Sequence, residues 1–283
     1  MEEAPWTRFA ARQGLAPRDD AAHPVFVLAA GWRSGSTLVQ RLLCSSKEVL
    51  IWGEAYGRAG LVQSLTATAM GLNEQWPTPG HFGTESVFAN LSDNWIANLY
   101  PPPDAMREAL GAPLETLLAW PAAERGFDRF GLKEVRLQAV HARFLEWVYP
   151  SARFVFLVRN PWEAWRSARG LGLVAHWAGP VMDHPQKFAA HWARLAASYL
   201  SWDQENGCLL KYEDLRSTCL KELAAHCRLG TLDVSVLDRV QTGVNRPTPE
   251  PLSAAEVEVI RSVAGPLAQK FGYTGPTRAR MSA

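Results

Sequence analysis

The fold class follows from residues 25–43, which read VFVLAAGWRSGSTLVQRLL. The first six residues are apolar without interruption, which predicts a β-strand buried on both faces. A glycine-rich turn over 31–37 comes next, and leucine and valine side chains then recur at helical spacing over 38–43. A strand, a glycine-rich turn and a helix in this order are typical of an anion site built from backbone N–H groups and a helix N-terminus.

Four other apolar runs predict further strands along the chain. Helices are predicted over 137–149, from Pro161, which suits the first position of a helix, and from near Glu213. The alternation predicts an α/β fold, a P-loop-like three-layer α/β/α arrangement around a central, mostly parallel sheet of about five strands. The four runs are Val49–Trp52, Phe130–Lys133, Phe154–Val158 and Cys208–Tyr212.

Polar side chains follow several of these strands. Glu54, Lys133, Arg159 and Tyr212 each lie at or just past the end of a predicted strand. Ligands of parallel α/β sheets bind beyond the carboxyl ends of the strands. We therefore expect these four side chains to converge beside the glycine-rich turn and to form a site there.

The chain has 283 residues, which is enough for one large α/β domain or for two domains of ordinary length. We predict a single domain over 25–283, preceded by a polar, loosely packed N-terminal arm over 1–24. An insertion over 56–128 is predicted to form an irregular or helical lid. Its first part, 56–103, is rich in aromatic residues and proline and has a charge sum of −2. A surface loop packed by its own aromatic side chains is the alternative.

The composition excludes several classes of protein. Lys and Arg number 29 against 28 for Asp and Glu, and this near balance argues against a nucleic-acid or anionic-membrane binder. A hydrophobic content of 47% excludes a disordered chain. The longest apolar run, 25–30, is far below the roughly 18 residues of a membrane span, and no secretory signal is predicted. Four scattered cysteines predict a reduced, cytoplasmic protein without a metal site.

The glycine-rich turn departs from the nucleoside-triphosphate pattern G-x-x-x-x-G-K-[ST] at two positions. Ala30 replaces the first glycine, and Ser36 replaces the lysine that pairs with the outer phosphates. Arg33 adds a positive charge earlier in the turn. The loop can therefore hold phosphate, but a kinase or ATPase that depends on Mg²⁺ is disfavoured.

The motifs together resemble the sulfotransferases that use 3′-phosphoadenosine 5′-phosphosulfate (PAPS). Residues 31–38, GWRSGSTL, resemble the family's 5′-phosphosulfate loop, and Arg159-Asn160-Pro161 followed by Ser167 resembles its 3′-phosphate site. Residues 211–215, KYEDL, and the stretch 252–273 resemble later elements of the family. The set covers nearly the whole chain in the expected order.

The details resemble one branch of this family more than another. Cytosolic-type members have a lysine in the loop and a catalytic histidine upstream of the 3′-phosphate arginine, whereas this chain has Arg33 and, at the histidine position, Leu137. The tyrosylprotein and bacterial carbohydrate-type enzymes have R-S-G-[ST]-[ST] and a glutamate base after the second strand. Glu54 stands where that glutamate belongs, and Lys133 matches the lysine near the transferring group.

The resemblance implies a transfer of the sulfuryl group from PAPS by in-line attack of an acceptor oxygen, with release of 3′,5′-ADP and without a metal. Glu54 is the implied general base, and Lys133 and Arg33 meet the charge on the sulfuryl oxygens. Arg246 is a further candidate for the 3′-phosphate. The residues that the resemblance places on the donor are Arg33, Ser34, Gly35, Ser36, Thr37, Arg159, Ser167 and Tyr212.

The acceptor is predicted to be a small molecule with an apolar or cationic body, such as a secondary metabolite. A hydroxyl is the expected acceptor group, with an amine as the alternative. The expectation rests on the aromatic, weakly acidic insertion, in which Trp76, His81, Phe82 and Trp95 are the candidate acceptor contacts. Two other functions remain open at this point, a P-loop kinase or nucleotide hydrolase and an inactive nucleotide-binding module.

Overall fold

A five-stranded parallel sheet forms the centre of the computed structural model. The strand order is β2-β3-β1-β4-β5, and each neighbouring pair is parallel. The strands are β1 Val25–Ala29, β2 Val49–Trp52, β3 Arg129–Glu134, β4 Arg153–Val158 and β5 Gly207–Lys211. All five runs chosen from the sequence are strands, and the predicted α/β class is confirmed. The structure describes residues 3–18, 22–54, 57–83, 95–170, 182–215, 219–238 and 250–277.

Helices cover both faces of the sheet. Alternate residues of β1 point to opposite faces, so that Val25 and Val27 pack in one apolar cluster while Phe26 and Leu28 pack in the other. This confirms a strand buried on both sides. The helices are α1 Pro5–Arg12, α2 Ser36–Cys44, α3 Leu61–Ala69, α4 Pro103–Leu114, α5 Trp120–Ala123, α6 Ala139–Val148, α7 Pro161–Arg169, α8 Pro185–Tyr199, α9 Cys219–His226, α10 Ser235–Asp238 and α11 Ala254–Lys270.

The N-terminal segment is packed, and the expectation of a loose arm is wrong for residues 5–12. Pro5 occupies the first turn of α1, and Trp6 and Phe9 of that helix are fully buried. The ring of Trp6 meets the ring of Phe144 edge to face at 6.1 Å. Two aromatic residues three positions apart are enough to attach a short helix to the core, even though the surrounding sequence is polar.

One other expectation is corrected by the structure. The helix expected near Glu213 is a single 3₁₀ turn over Tyr212–Asp214, and the next helix begins at Cys219. The described part of the insertion over 56–128 contains α3, α4, α5 and a π-helix over Glu115–Ala119, in line with the helical alternative, and its role as a lid stays a prediction. Within the described residues, no helix combines the length and the apolar character that a membrane crossing requires.

Candidate active site

The glycine-rich loop follows β1 and ends in the first turn of α2. Its backbone is left-handed at three positions, with φ of +82° at Gly31, +64° at Arg33 and +90° at Gly35. Gly35 is the N-cap of α2, which begins at Ser36. The first N–H groups of an α-helix have no partner within the helix, so this loop presents donors of the kind that bind phosphate.

Tyr212 is packed between the loop and Arg159. A Cβ atom at position 35 would lie 2.1 Å from Cδ2 of Tyr212, so only glycine allows the ring to approach this closely. On the same tyrosine, the guanidinium carbon of Arg159 lies 4.3 Å from the ring centroid. This cation–π contact orients the arginine toward the loop.

Arg33, Arg159 and Ser167 also meet, although they are far apart along the chain. Nε of Arg33 donates to Oγ of Ser167 at 3.0 Å, and Nη1 of Arg159 donates to the carbonyl of Arg33 at 2.8 Å. Within the part of the chain that the structure describes, buried polar atoms without a hydrogen-bond partner remain at this loop, and they include Nε of Arg159 and Oγ of the fully buried Ser34. Such atoms normally have a hydrogen-bond partner, and an anionic ligand with several oxygens fits them.

Glu54 and Lys133 form an ion pair at the ends of two neighbouring strands. Nζ of Lys133 lies 2.5 Å from Oε1 of Glu54, and their side chains are only 8% and 11% exposed. The pairing of β2 with β3 brings them together, since Trp52 of β2 is level with Leu132 of β3. The ion pair therefore places a carboxylate and an ammonium group side by side at the carboxyl ends of β2 and β3.

A second buried ion pair follows directly on β3, and nothing in the sequence pattern singled it out. Glu134 and Arg136 are both 7% exposed and pair through two guanidinium nitrogens, Nε at 2.9 Å and Nη2. Nη1 of Arg136 donates to the carbonyl of Gly57, and the N–H of Gly57 donates to the carbonyl of Glu54 at 3.1 Å.

Helix α8 packs against the glycine-rich loop, a contact that the sequence did not predict. The ring of His191 stacks on Trp32 of the loop with centroids 5.3 Å apart, and Nε1 of Trp192 donates to the carbonyl of Arg159 at 3.0 Å. Burial, together with the charge of Arg194, lowers the pKa of His191 to about 4, so the imidazole is neutral near pH 7. Helical spacing in a sequence does not show which loop a helix contacts.

The C-terminal segment joins the motifs around Arg159. The backbone N–H of Asn160 donates to Oε1 of Glu213 at 3.0 Å, and the hydroxyl of Tyr273 donates to Oε2 of the same carboxylate at 2.6 Å. The side-chain amide of Asn160 donates to the carbonyl of Gly275 at 2.8 Å. Burial and the carboxylate of Glu213 raise the pKa of Tyr273. The three elements recognised at 159–161, 211–215 and 252–273 therefore form one hydrogen-bonded unit.

The candidate acceptor residues have different surroundings. The ring of Trp76 packs against Phe9 of α1 at 5.6 Å, Nδ1 of His81 is hydrogen bonded to Thr78 at 2.8 Å, and Phe82 forms a backbone bridge with Leu99. Trp95 is 75% exposed. These contacts do not join the four side chains into one surface, and their role in acceptor binding stays a prediction. The further candidate, Arg246, lies outside the described residues.

Comparisons with known proteins bear on the family and the fold of the chain. A family model described as "Sulfotransferase family" matches residues 24–233. The sulfotransferase domain of the olefin synthase from Synechococcus PCC 7002 superposes with a TM-score of 0.50 at 17% identity, covering 92% of this chain and 98% of that one. A sulfotransferase from Alicyclobacillus acidocaldarius gives a TM-score of 0.47 at 14% identity, covering 89% and 97%. No curated protein sequence matches the chain significantly.

Proposed function

The chain belongs to the sulfotransferase family, and from this premise we propose that it transfers the sulfuryl group of PAPS to a hydroxyl of a small-molecule acceptor. The choice of donor rests on two buried atoms that have no hydrogen-bond partner among the described residues, the hydroxyl of Ser34 and Nε of Arg159. The two ends of a donor with a 5′-phosphosulfate and a 3′-phosphate fit these two groups.

Each end of the donor has its own set of proposed contacts. Ser34, Ser36 and Thr37 hold the 5′ end with backbone N–H groups at the start of α2. Arg159 and Ser167 bind the 3′-phosphate, with Tyr212 beneath the guanidinium. The absence of a lysine at position 36 removes the contact on which nucleoside triphosphates with Mg²⁺ depend.

In this proposal the buried ion pair of Glu54 and Lys133 carries out the transfer chemistry. When bound, the donor supplies the sulfuryl group, whose sulfur bonds to the acceptor oxygen as its bond to the 5′-phosphate oxygen breaks and 3′,5′-ADP leaves. Glu54 accepts the proton of the acceptor hydroxyl at a carboxylate oxygen. Lys133 and Arg33 stabilise the negative charge that develops on the sulfuryl and leaving oxygens.

The acceptor is proposed to be small, with an apolar or cationic body. The chain carries a formal charge of only +1, and the part of the insertion over 56–103 has a charge sum of −2. A polyanionic glycan requires an excess of basic residues, so this charge balance disfavours such an acceptor. The four free cysteines support a reducing compartment, and we propose a cytoplasmic location on that basis.

The donor is tested by thermal unfolding of the intact chain with 3′,5′-ADP, ADP and ATP, each with and without Mg²⁺. Selective stabilisation by 3′,5′-ADP that does not need the metal is expected, because binding to the native state raises the midpoint. A preference for ATP with Mg²⁺ would overturn the proposal. Ser34→Ala should weaken the 3′,5′-ADP response, whereas Ser46→Ala at the other end of α2 serves as the matched control.

The acceptor is tested by incubating the chain with ³⁵S-labelled PAPS and panels of phenols, aliphatic alcohols, amines and acidic polysaccharides. Labelled small-molecule products are expected. Labelling of acidic polysaccharides alone would contradict the proposed acceptor class and leave the proposed donor in place.

A further inference from the structure

The segment Lys133–Arg136 holds Glu54 from two directions. Lys133 contacts its carboxylate directly, as described above. Arg136 reaches the backbone next to it, because Nη1 donates to the carbonyl of Gly57 and the N–H of Gly57 donates to the carbonyl of Glu54. Glu54 is therefore linked to the end of β3 both at its side chain and at its main chain.

Arg136 is itself held in a fixed orientation. Its Nε and Nη2 form a two-bond fork with the carboxylate of Glu134, which also accepts the N–H of Val135 at 2.8 Å. The hydrogen bonds to Glu134, and the charges of Glu134 and Glu54, raise the pKa of Arg136. A planar guanidinium can satisfy a carboxylate with one edge and a carbonyl with the remaining nitrogen, which a lysine cannot do.

The location of this pair argues against a role in stability alone. Four charged side chains, Glu54, Lys133, Glu134 and Arg136, are each 11% exposed or less at the ends of β2 and β3. Buried ion pairs often contribute little net stability, since the cost of removing water offsets their attraction. Two buried ion pairs close to the carboxylate of Glu54 instead indicate that Glu54 must be held in position to a fraction of an ångström.

We propose that Arg136 is a positioning residue for Glu54: by binding the carbonyl of Gly57 it fixes the backbone that carries the catalytic carboxylate, and Glu134 keeps Arg136 in place. This inference rests on the proposed function for its consequence in catalysis. In this proposal Arg136 contacts neither the donor nor the acceptor, and it affects the reaction only by fixing the position of Glu54.

The test compares wild type with Arg136→Lys and with the double variant Arg136→Gln/Glu134→Gln, which removes both charges and leaves no unpaired buried carboxylate. The matched control is Arg143→Gln/Glu146→Gln, a pair at 3.0 Å on α6. Three quantities are measured on the full chain. They are amide hydrogen exchange in peptides that contain Gly57, the dissociation constant of 3′,5′-ADP, and the rate of ³⁵S transfer from saturating PAPS to the best acceptor of the panel or, without one, to water.

Faster exchange at Gly57 and a turnover lower by about 10- to 100-fold are expected for the double variant, with unchanged 3′,5′-ADP binding. Arg136→Lys should fall between this variant and wild type, and the control should match wild type. Unchanged exchange at Gly57, or turnover equal to that of the control, would overturn the role of Arg136. A wild-type chain without sulfuryl transfer would instead overturn the proposed function, while the exchange data still decide whether Arg136 holds the Glu54 backbone.

Discussion

Two regions of the molecule are built differently. The loop side consists of the glycine-rich loop over 31–37 and the residues that contact it, and the insertion side consists of the described part of the insertion over 56–128. On the loop side, Arg33, Arg159, Ser167 and Tyr212 come from distant parts of the chain and contact one another directly. On the insertion side, the contacts of His81 are with a residue three positions away. A parallel sheet places the ends of its strands side by side, so residues after the strands converge, whereas an insertion without a repeating pattern has no such rule.

Glu54 pairs with Lys133 and lies just before the insertion in the chain, and its substitution has the largest expected effect. Glu54→Gln keeps the shape and removes the proton acceptor, so turnover should fall by about 10²–10⁴-fold while 3′,5′-ADP binds as before. Transfer of ³⁵S from PAPS and the dissociation constant are measured together, with Glu48→Gln as control. Near-normal turnover would show that another group accepts the proton.

Acidic pH should lower the free energy of unfolding through His191, whose ring stacks on Trp32 of the loop. Its folded-state pKa of about 4 lies below the ordinary value of 6.5, so its stabilisation is present above pH 6.5 and is lost as the pH falls toward 4. The loss is about 3 kcal/mol of unfolding free energy. Denaturant unfolding at pH 7 and pH 4 should show this extra loss in wild type but not in His191→Gln. Equal losses would contradict the prediction.

Arg159→Ala tests whether the loop side binds both ends of the donor. Loss of a charged phosphate partner should weaken 3′,5′-ADP binding by about 2–3 kcal/mol. Calorimetric titration measures the change, and Arg261→Ala, at an exposed arginine of α11, is the control. An unchanged dissociation constant would remove Arg159 from the donor site.

Gly35→Ala tests the close packing of Tyr212 on the loop. The left-handed backbone alone should cost about 1–2 kcal/mol of unfolding free energy, and the contact at 2.1 Å would also displace the tyrosine. Gly126→Ala is the matched control, because its φ is also left-handed, at +79°, and its Cβ would meet nothing within 4 Å. Thermal unfolding and 3′,5′-ADP binding are measured for both. Equal effects of the two substitutions would show that Tyr212 is free to move away.

The smallest effect on stability is expected at Trp95, which is 75% exposed. Trp95→Ala should change the unfolding free energy by about 0.5 kcal/mol or less. A raised KM for the acceptor is expected if the insertion side binds it, whereas Trp120→Ala, at an exposed tryptophan of α5, should change neither quantity. An unaltered KM in Trp95→Ala would remove this residue from the acceptor site.

Much of the loop side was predictable from local pattern. The uninterrupted apolar run at 25–30 and the glycines of the turn gave the strand and the loop, and Pro161 marked the start of α7 as expected. The contact of Arg33 with Ser167 joins residues 134 positions apart, which no local pattern encodes. The pair Glu134–Arg136 escaped notice because two charges at a strand end are ordinary on a protein surface, and only burial distinguishes them.

The amino-acid sequence by itself determined the five strands and the glycine-rich loop, because apolar periodicity and glycine positions act over a few neighbouring residues. The family was indicated by the resemblance of the ordered motifs. Tertiary structure alone decided that α1 is part of the core, that His191 and Trp192 support the loop, and that Arg136 contacts the backbone beside Glu54. The physical reason is the same in each case. These contacts depend on which surfaces the sheet brings together, and their energies arise only once water is excluded from between them.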